Sequence, residues 1–159
     1  MKKNNLNSKD NIAKQFMKAI PFSTELSMSL DMIENGYATI SMPYDKRFVG
    51  DLSTGVLHGG VVSSLLDSCC GAAVMCHPSV PAITSTLDFR IDYMRTATPN
   101  HRIAAKAECY HVTRSIAFVR ATAYDEDESR PVATATGAFT VQALNNKNDK
   151  GSKYVHTFR

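Results

Sequence analysis

T-G-V-L-H-G-G-V-V-S-S-L-L-D-S-C-C-G-A-A-V-M, residues 54–75, is the stretch from which the fold and chemistry of this chain are read. It passes through His58-Gly59-Gly60 into an apolar segment long enough for a four-turn helix. The segment is rich in Val, Leu, Ala and Cys, as a helix buried on most faces should be. One carboxylate, Asp67, interrupts it. Burying an ionised carboxylate without a partner costs roughly several kcal/mol. Asp67 is therefore either a base or nucleophile, or a structural carboxylate paired with an arginine on a sheet. The two glycines also need a reason. Glycine weakens a helix interior by roughly 1 kcal/mol relative to alanine, but at a helix start it lets another group approach the backbone.

The first N–H groups of a helix are unpaired and carry the positive end of its dipole. Negative charge developing on a carbonyl oxygen would be stabilised there, which makes His58-Gly59-Gly60 a candidate oxyanion site. Gly59 and Asp67 are separated by roughly 12 Å along one helix, at about 1.5 Å per residue. That is too far for both to reach one reacting carbon. A second copy of the helix, running antiparallel across a two-fold axis, would close the gap, so the expectation is an active site shared between chains.

Outward from this helix, Ser8 can cap a short amphipathic helix with Ile12, Phe16, Met17 and Ile20 on its apolar side and Pro21 after its end. Residues 25–42 read as two strands joined by Glu34-Asn35-Gly36, a strong hairpin signal. Residues 43–54 read as a polar loop. Pro78 and Pro81 punctuate the exit of the central helix. Four segments with strand character follow at residues 82–94, 102–112, 116–124 and 132–141, with connections short enough for an antiparallel meander. One apolar helix wrapped by a strongly curved antiparallel sheet satisfies both elements, and the expected class is α+β. Residues 1–144 form the single expected domain. Residues 145–159 are polar and aperiodic, and are expected to trail as a mobile tail.

The 159 residues suffice for one sizeable core. The net charge of +3 is too mild to imply nucleic acid, and much of the excess lies near the ends. Neither a signal peptide nor a run of 18 apolar residues is present, so no membrane span is expected. Cys69, Cys70, Cys76 and Cys109 read as reduced cysteines of a cytoplasmic core. Cys69, Cys70, Cys76 and His77 lack the usual paired spacing of a zinc site, so no metal is expected.

The element order, with G-V-L-H-G-G-V-V-S-S-L-L-D at the helix and T-L-D-F-R-I-D-Y-M-R in the strand after it, resembles the hot-dog fold thioesterases of the phenylacetate-degradation type. In that group H-G-G opens the central helix and an Asp follows on it. The resemblance implies hydrolysis of acyl-coenzyme A thioesters in a homodimer or a dimer of dimers, with the site at the dimer interface. No cofactor is implied, because coenzyme A belongs to the substrate.

Asp67 matches the catalytic carboxylate of these enzymes, Gly59 the backbone donor, and His58 the residue that orients the loop. Thr86 falls where relatives place a Ser or Thr that holds the water. Asp51 stands nearest to an upstream Asn that commonly contacts the thioester carbonyl. It departs from the pattern, because an ionised aspartate accepts where an asparagine amide can donate. Gly60, Tyr93, Arg95, Thr113, Arg114 and Ser115 match positions that contact substrate. Arg114-Ser115 matches a turn beside the nucleotide portion, where an arginine fork suits phosphate.

A non-catalytic acyl-CoA-binding or regulatory module of the same fold is the alternative. A dehydratase would need a helical His beside a carboxylate, and the segment carries no His between His58 and Cys76. An acyl pocket is expected from Leu65, Leu66, Phe89 or the N-terminal helix in some combination.

The tail reading makes a first prediction. Deleting residues 145–159 should leave the melting temperature and turnover nearly unchanged, because that segment offers little apolar surface to bury. Cooperative unfolding at a much lower temperature after truncation would mean that the tail docks on the core.

Overall fold

The structure, a computed structural model, describes residues 19–80 and 83–142. A short helix α1 (Pro21–Glu25) leads into the hairpin β1 (Ser29–Glu34) and β2 (Tyr37–Met42). A 3-10 turn (Lys46–Phe48) and the small hairpin β3 (Val49–Asp51) and β4 (Val56–Leu57) precede the central helix α2 (Gly59–Cys76). Strands β5 (Thr86–Tyr93), β6 (Ile103–Val112), β7 (Ile116–Tyr124) and β8 (Ala133–Thr140) complete an antiparallel sheet of order β1-β2-β6-β7-β8-β5. This is the expected α+β architecture, one long helix wrapped by a curved sheet.

The helix packs chiefly on β2, β6 and β7. Many residues facing it from these strands are small: Ala38, Ala105, Ala107, Ala117, Ala121 and Ala123 are buried, interspersed with larger Ile40, Met42, Ile103 and Val119. Small inward side chains let the sheet close around a helix whose own inward residues, Leu65, Leu66, Cys69 and Cys70, are fully buried. This helix is long and apolar enough to cross a membrane, but most of it is buried inside the fold, as in the core of an ordinary domain. Cys69, Cys70, Cys76 and Cys109 are buried and in no disulfide. Cys69 donates to the carbonyls of Ala105 (3.2 Å) and Ala38 (3.4 Å), and burial pushes its pKa up to about 12.

The β1–β2 turn forms at Asn35-Gly36, with φ of 44° and 92°, the left-handed pair that a tight hairpin needs. A Cβ on Gly36 would also lie 2.8 Å from the His77 ring.

Several boundaries differ from the sequence expectation. The helix expected from Ser8 lies outside the described residues through residue 18; Ala19 is helical and Ile20 is not, so Pro21 follows a helix end as expected and also opens α1. Proline's fixed φ and missing N–H suit a first turn. Glu25 closes α1, so β1 starts only at Ser29. The loop expected at residues 43–54 contains β3 and the turn into β4, because Asp51 organises a turn from Asp51 to Gly55. The central helix has 18 residues, about five turns rather than four.

The end of β5 is clamped. Arg95 sends two N–H groups to the Asp125 carboxylate (2.7 and 2.6 Å), two to the Arg130 carbonyl and one to the Thr96 carbonyl. Asp125 also accepts from the Thr98 backbone (3.0 Å) and hydroxyl (2.8 Å). The Arg95 guanidinium, helped by Thr98, holds the Asp125 carboxyl well below the usual carboxylate range. A carboxylate with a depressed folded pKa stabilises the fold above its unfolded pKa, and that contribution fades as pH falls toward the folded value.

Asp125→Asn should therefore cost about 3 kcal/mol near neutral pH, the scale for breaking a largely buried pair. The difference from the parent protein should shrink as pH falls from about 5 toward 2. Denaturant melts across that range check both the size and the sign.

Candidate active site

The entrance of α2 is built by close backbone approach. His58 is its N-cap, and its Nδ1 accepts the Gly60 N–H at 3.0 Å. That nitrogen is therefore the unprotonated one of the ring. Any Cβ on Gly60 would sit 2.9 Å from it, and a Cβ on Gly50 would sit 2.9 Å from the His58 Cα. Both glycines are needed for the cap to form. The His58 N–H is anchored on the Phe48 carbonyl at 2.9 Å. No acceptor among the described residues takes the Gly59 N–H, while the Gly59 carbonyl accepts from the Tyr93 hydroxyl at 2.8 Å.

Two turns along, Asp67 lies on the one open stripe of the helix. Gly60, Ser63, Ser64, Asp67, Ser68 and Gly71 recur at three- and four-residue spacing, and none of them is buried, unlike the neighbours that fill the core. Asp67 is half-buried and accepts from the Thr86 hydroxyl at 2.8 Å through Oδ1. No arginine pairs with it among the described residues, so the structural ion pair considered as its other role is not formed. Oδ2 remains available to a ligand. Helix α2 is unbroken from Gly59 to Cys76, which keeps the two centres of one chain roughly 12 Å apart.

A β-bulge aims Thr86. Asp88 pairs with Ala138 and Thr86 with Phe139, so Leu87 is the extra residue in β5. Simple alternation would put Thr86 on the outer face with Asp88, Arg90 and Asp92. The bulge turns it to the inner face shared with buried Phe139 and so toward Asp67.

The remaining candidates fall into separate places. Asp51 is exposed, and its carboxylate accepts from the Ser53 N–H (2.9 Å), Ser53 Oγ (2.7 Å) and Thr54 Oγ1 (2.8 Å), bonds that lower its pKa. It is an ionised acceptor committed to its own turn and offers no donor to a carbonyl. Arg95, with every N–H engaged by the chain, has none left for phosphate.

Thr113 closes the β6–β7 turn through Ile116, and Arg114 projects from it exposed, with no partner among the described residues. This turn lies at the Thr86 end of the sheet, since Ala117, Phe139 and Thr86 are in register. Tyr93 and Arg95 are at the opposite end, where Tyr93 pairs with Ala133. One chain thus brings together Asp67 with Thr86, and Gly59 with His58, Gly60 and Tyr93. It does not join the two groups.

Leu65 and Leu66 are fully buried, so they line no pocket. Phe89 packs edge-on against Phe139, into space left by Gly137. A cavity of about 320 Å³ lies instead beside Gly59 and Tyr93, walled by Leu57, Val62, Met94, Ala97 and Val132. Only Val62, three residues after Gly59, could have been found from sequence spacing. Ala97 and Val132 lie outside the strands and are brought to the cavity where the segment after β5 bonds to the Val132 carbonyl.

Comparison with known proteins agrees with this geometry. Residues 54–132 match the model of the thioesterase superfamily. Over 143 residues the chain is 26% identical to the medium/long-chain acyl-CoA thioesterase YigI of Salmonella typhimurium, spanning 82% of this chain and 91% of YigI. A Pseudomonas aeruginosa protein of known crystal structure is 34% identical, with a TM-score of 0.75, covering 83% of this chain and 98% of that one. The PaaI protein of the Escherichia coli phenylacetic acid degradation operon superimposes with a TM-score of 0.76 over 86% of this chain and 95% of PaaI. At 16% identity that likeness is one of fold alone. With its motif region matched to the family and its whole layout shared with these structures, the chain belongs to the thioesterase superfamily and is a thioesterase of hot-dog fold.

Proposed function

We propose that this thioesterase hydrolyses acyl-CoA at a site composed from two chains, with Asp67 as the reacting carboxylate. The observation that carries the reading is the Asp67–Thr86 pair. A carboxylate on the only open stripe of a core helix, held by one hydroxyl and by no cation among the described residues, is oriented without being neutralised. Asp67 takes a proton from water as the water oxygen attacks the thioester carbon, or attacks that carbon itself and is released by water afterwards. Thr86 fixes the carboxylate. The oxyanion rests on the Gly59 N–H at the positive end of the partner's helix, in an entrance held by His58 and Gly60. The C–S bond then breaks and coenzyme A leaves with a proton on sulfur. No cofactor takes part.

The edge of the sheet supports the shared site. β5 is outermost, and Leu87, Tyr93 and Met94 on it are 57%, 53% and 58% exposed. A long edge with apolar side chains favours pairing with another strand. Two-fold pairing there would set the Asp67 end of one protomer against the Gly59 end of the other, giving a homodimer or a dimer of dimers. The exposed Arg114, with Ser115 in the same turn, offers a free guanidinium to the coenzyme A phosphates. Four cysteines outside any disulfide suit a cytoplasmic setting. YigI points to medium and long acyl chains.

Asp67→Asn should lower kcat by roughly 10²- to 10⁴-fold with little change in KM. Its melting temperature should stay close to that of the parent, because the amide oxygen can still accept from Thr86. A normal kcat with a lower melting temperature would make Asp67 structural.

Complementation tests the composite site. Gly59→Val puts methyl groups beside the Tyr93 ring, which already lies 3.5 Å from where a Cβ would stand, and it should be inactive. Co-expressed Asp67→Asn and Gly59→Val subunits give half mixed dimers, each with one intact site, so about a quarter of parental activity should return. Mixed dimers verified by two tags yet wholly inactive would assign both groups to one chain.

A further inference from the structure

We infer that the cavity beside Gly59 is the acyl-tail pocket and that its rigid wall at residues 94–98 measures the length of the chain. The inference rests on the proposed acyl-CoA reading, since it places the tail relative to a carbonyl held by the Gly59 N–H. A tail attached to that carbonyl must leave the entrance of α2 through apolar surroundings or stay in water. The cavity of about 320 Å³ opens at this point, with Gly59 and Tyr93 on its mouth. Behind them stand Leu57, Val62, Ala97 and Val132, all buried, with exposed Met94 at the side.

The volume suits a medium-length chain. At roughly the 30 Å³ that a water-sized group occupies in a condensed phase, 320 Å³ holds about ten such groups. The one charged side chain in the wall, Arg95, has all its N–H groups engaged. It therefore presents its aliphatic stem at no cost in unpaired charge.

The wall is pinned at both ends. The Val132 carbonyl accepts from the Met94 and Arg95 N–H groups (2.9 and 3.2 Å), and Asp125 holds Thr98 by two hydrogen bonds. Ala97, 5% exposed, lies between these anchors. A wall that cannot swing back discriminates by size, and one methylene in a well-formed apolar pocket is worth about 10- to 200-fold in kcat/KM.

The test compares kcat/KM for acetyl-, octanoyl- and palmitoyl-CoA in the full-length protein and two variants, alongside inhibition by free coenzyme A. Ala97→Leu fills the cavity, and the octanoyl-to-acetyl ratio should fall by about 10-fold or more. Met94→Ala opens the cavity at its side and should raise the palmitoyl-to-octanoyl ratio. Its assembly size is compared with the parent by gel filtration, because the proposed β5 pairing uses the same edge. An equal loss on every chain length with weaker inhibition by coenzyme A would put the pantetheine arm in the cavity and overturn the inference. So would unchanged ratios in Met94→Ala, whether or not Ala97→Leu folds. A parent protein that hydrolyses none of the three would instead sink the acyl-CoA reading, and the inference with it.

Discussion

Wrapping one helix in one sheet is the constraint from which the rest of this molecule follows. A helix about 10 Å across cannot be enclosed by a single sheet unless the strands curve tightly and their inner side chains are small. The run of inward alanines on β2, β6 and β7 meets that demand, and the thiols of α2 fill the remaining gaps as small apolar groups with weak donors. A six-stranded sheet is too narrow to close completely around a helix, so one stripe of helix stays open. On that stripe the chain has placed its serines, two glycines and Asp67. The carboxylate proposed to react thus sits on the central helix of the fold while keeping access to ligand.

Enclosure also explains why the two halves of the chemistry are far apart. An N-terminal helix end can stabilise an oxyanion only where its N–H groups are free, and a carboxylate deeper in the helix can escape burial only on the open stripe. On a straight helix these two demands are met two turns apart. The proposed site joins them through a partner chain rather than through a bend.

Local features of the fold were legible in the sequence, and relations between distant segments were not. Asn35-Gly36, His58-Gly59-Gly60 and the apolar run with Asp67 act through neighbours within a few residues, and each stands where the sequence puts it. Pro21 follows the end of one helix, as expected, and also starts another, because proline serves both places. The fate of Arg95 was hidden, since its acceptors Asp125 and Arg130 are 30 and 35 residues further on. Asp51 was read by its place upstream of His58, while its oxygens are spent on Ser53 and Thr54. The contact of Thr86 with Asp67 was suggested by family resemblance alone, since strand alternation by itself points that side chain the wrong way.

That last point separates the site from the scaffold in heritable terms. Phe89 and Ile91 face the core by ordinary alternation and hold β5 on β8, whereas Thr86 reaches Asp67 only because Leu87 is supernumerary. Straightening the bulge with Leu87 still present would set Leu87 opposite Phe139 and rotate Thr86 to the outer surface, leaving the strand's packing beyond it in register. Descendants of such a chain could keep the architecture and its ligand-holding surfaces while shedding the hydroxyl that orients the carboxylate. A one-residue shift in how the start of β5 pairs is therefore a short route from an enzyme of this kind to a binding protein built on the same frame.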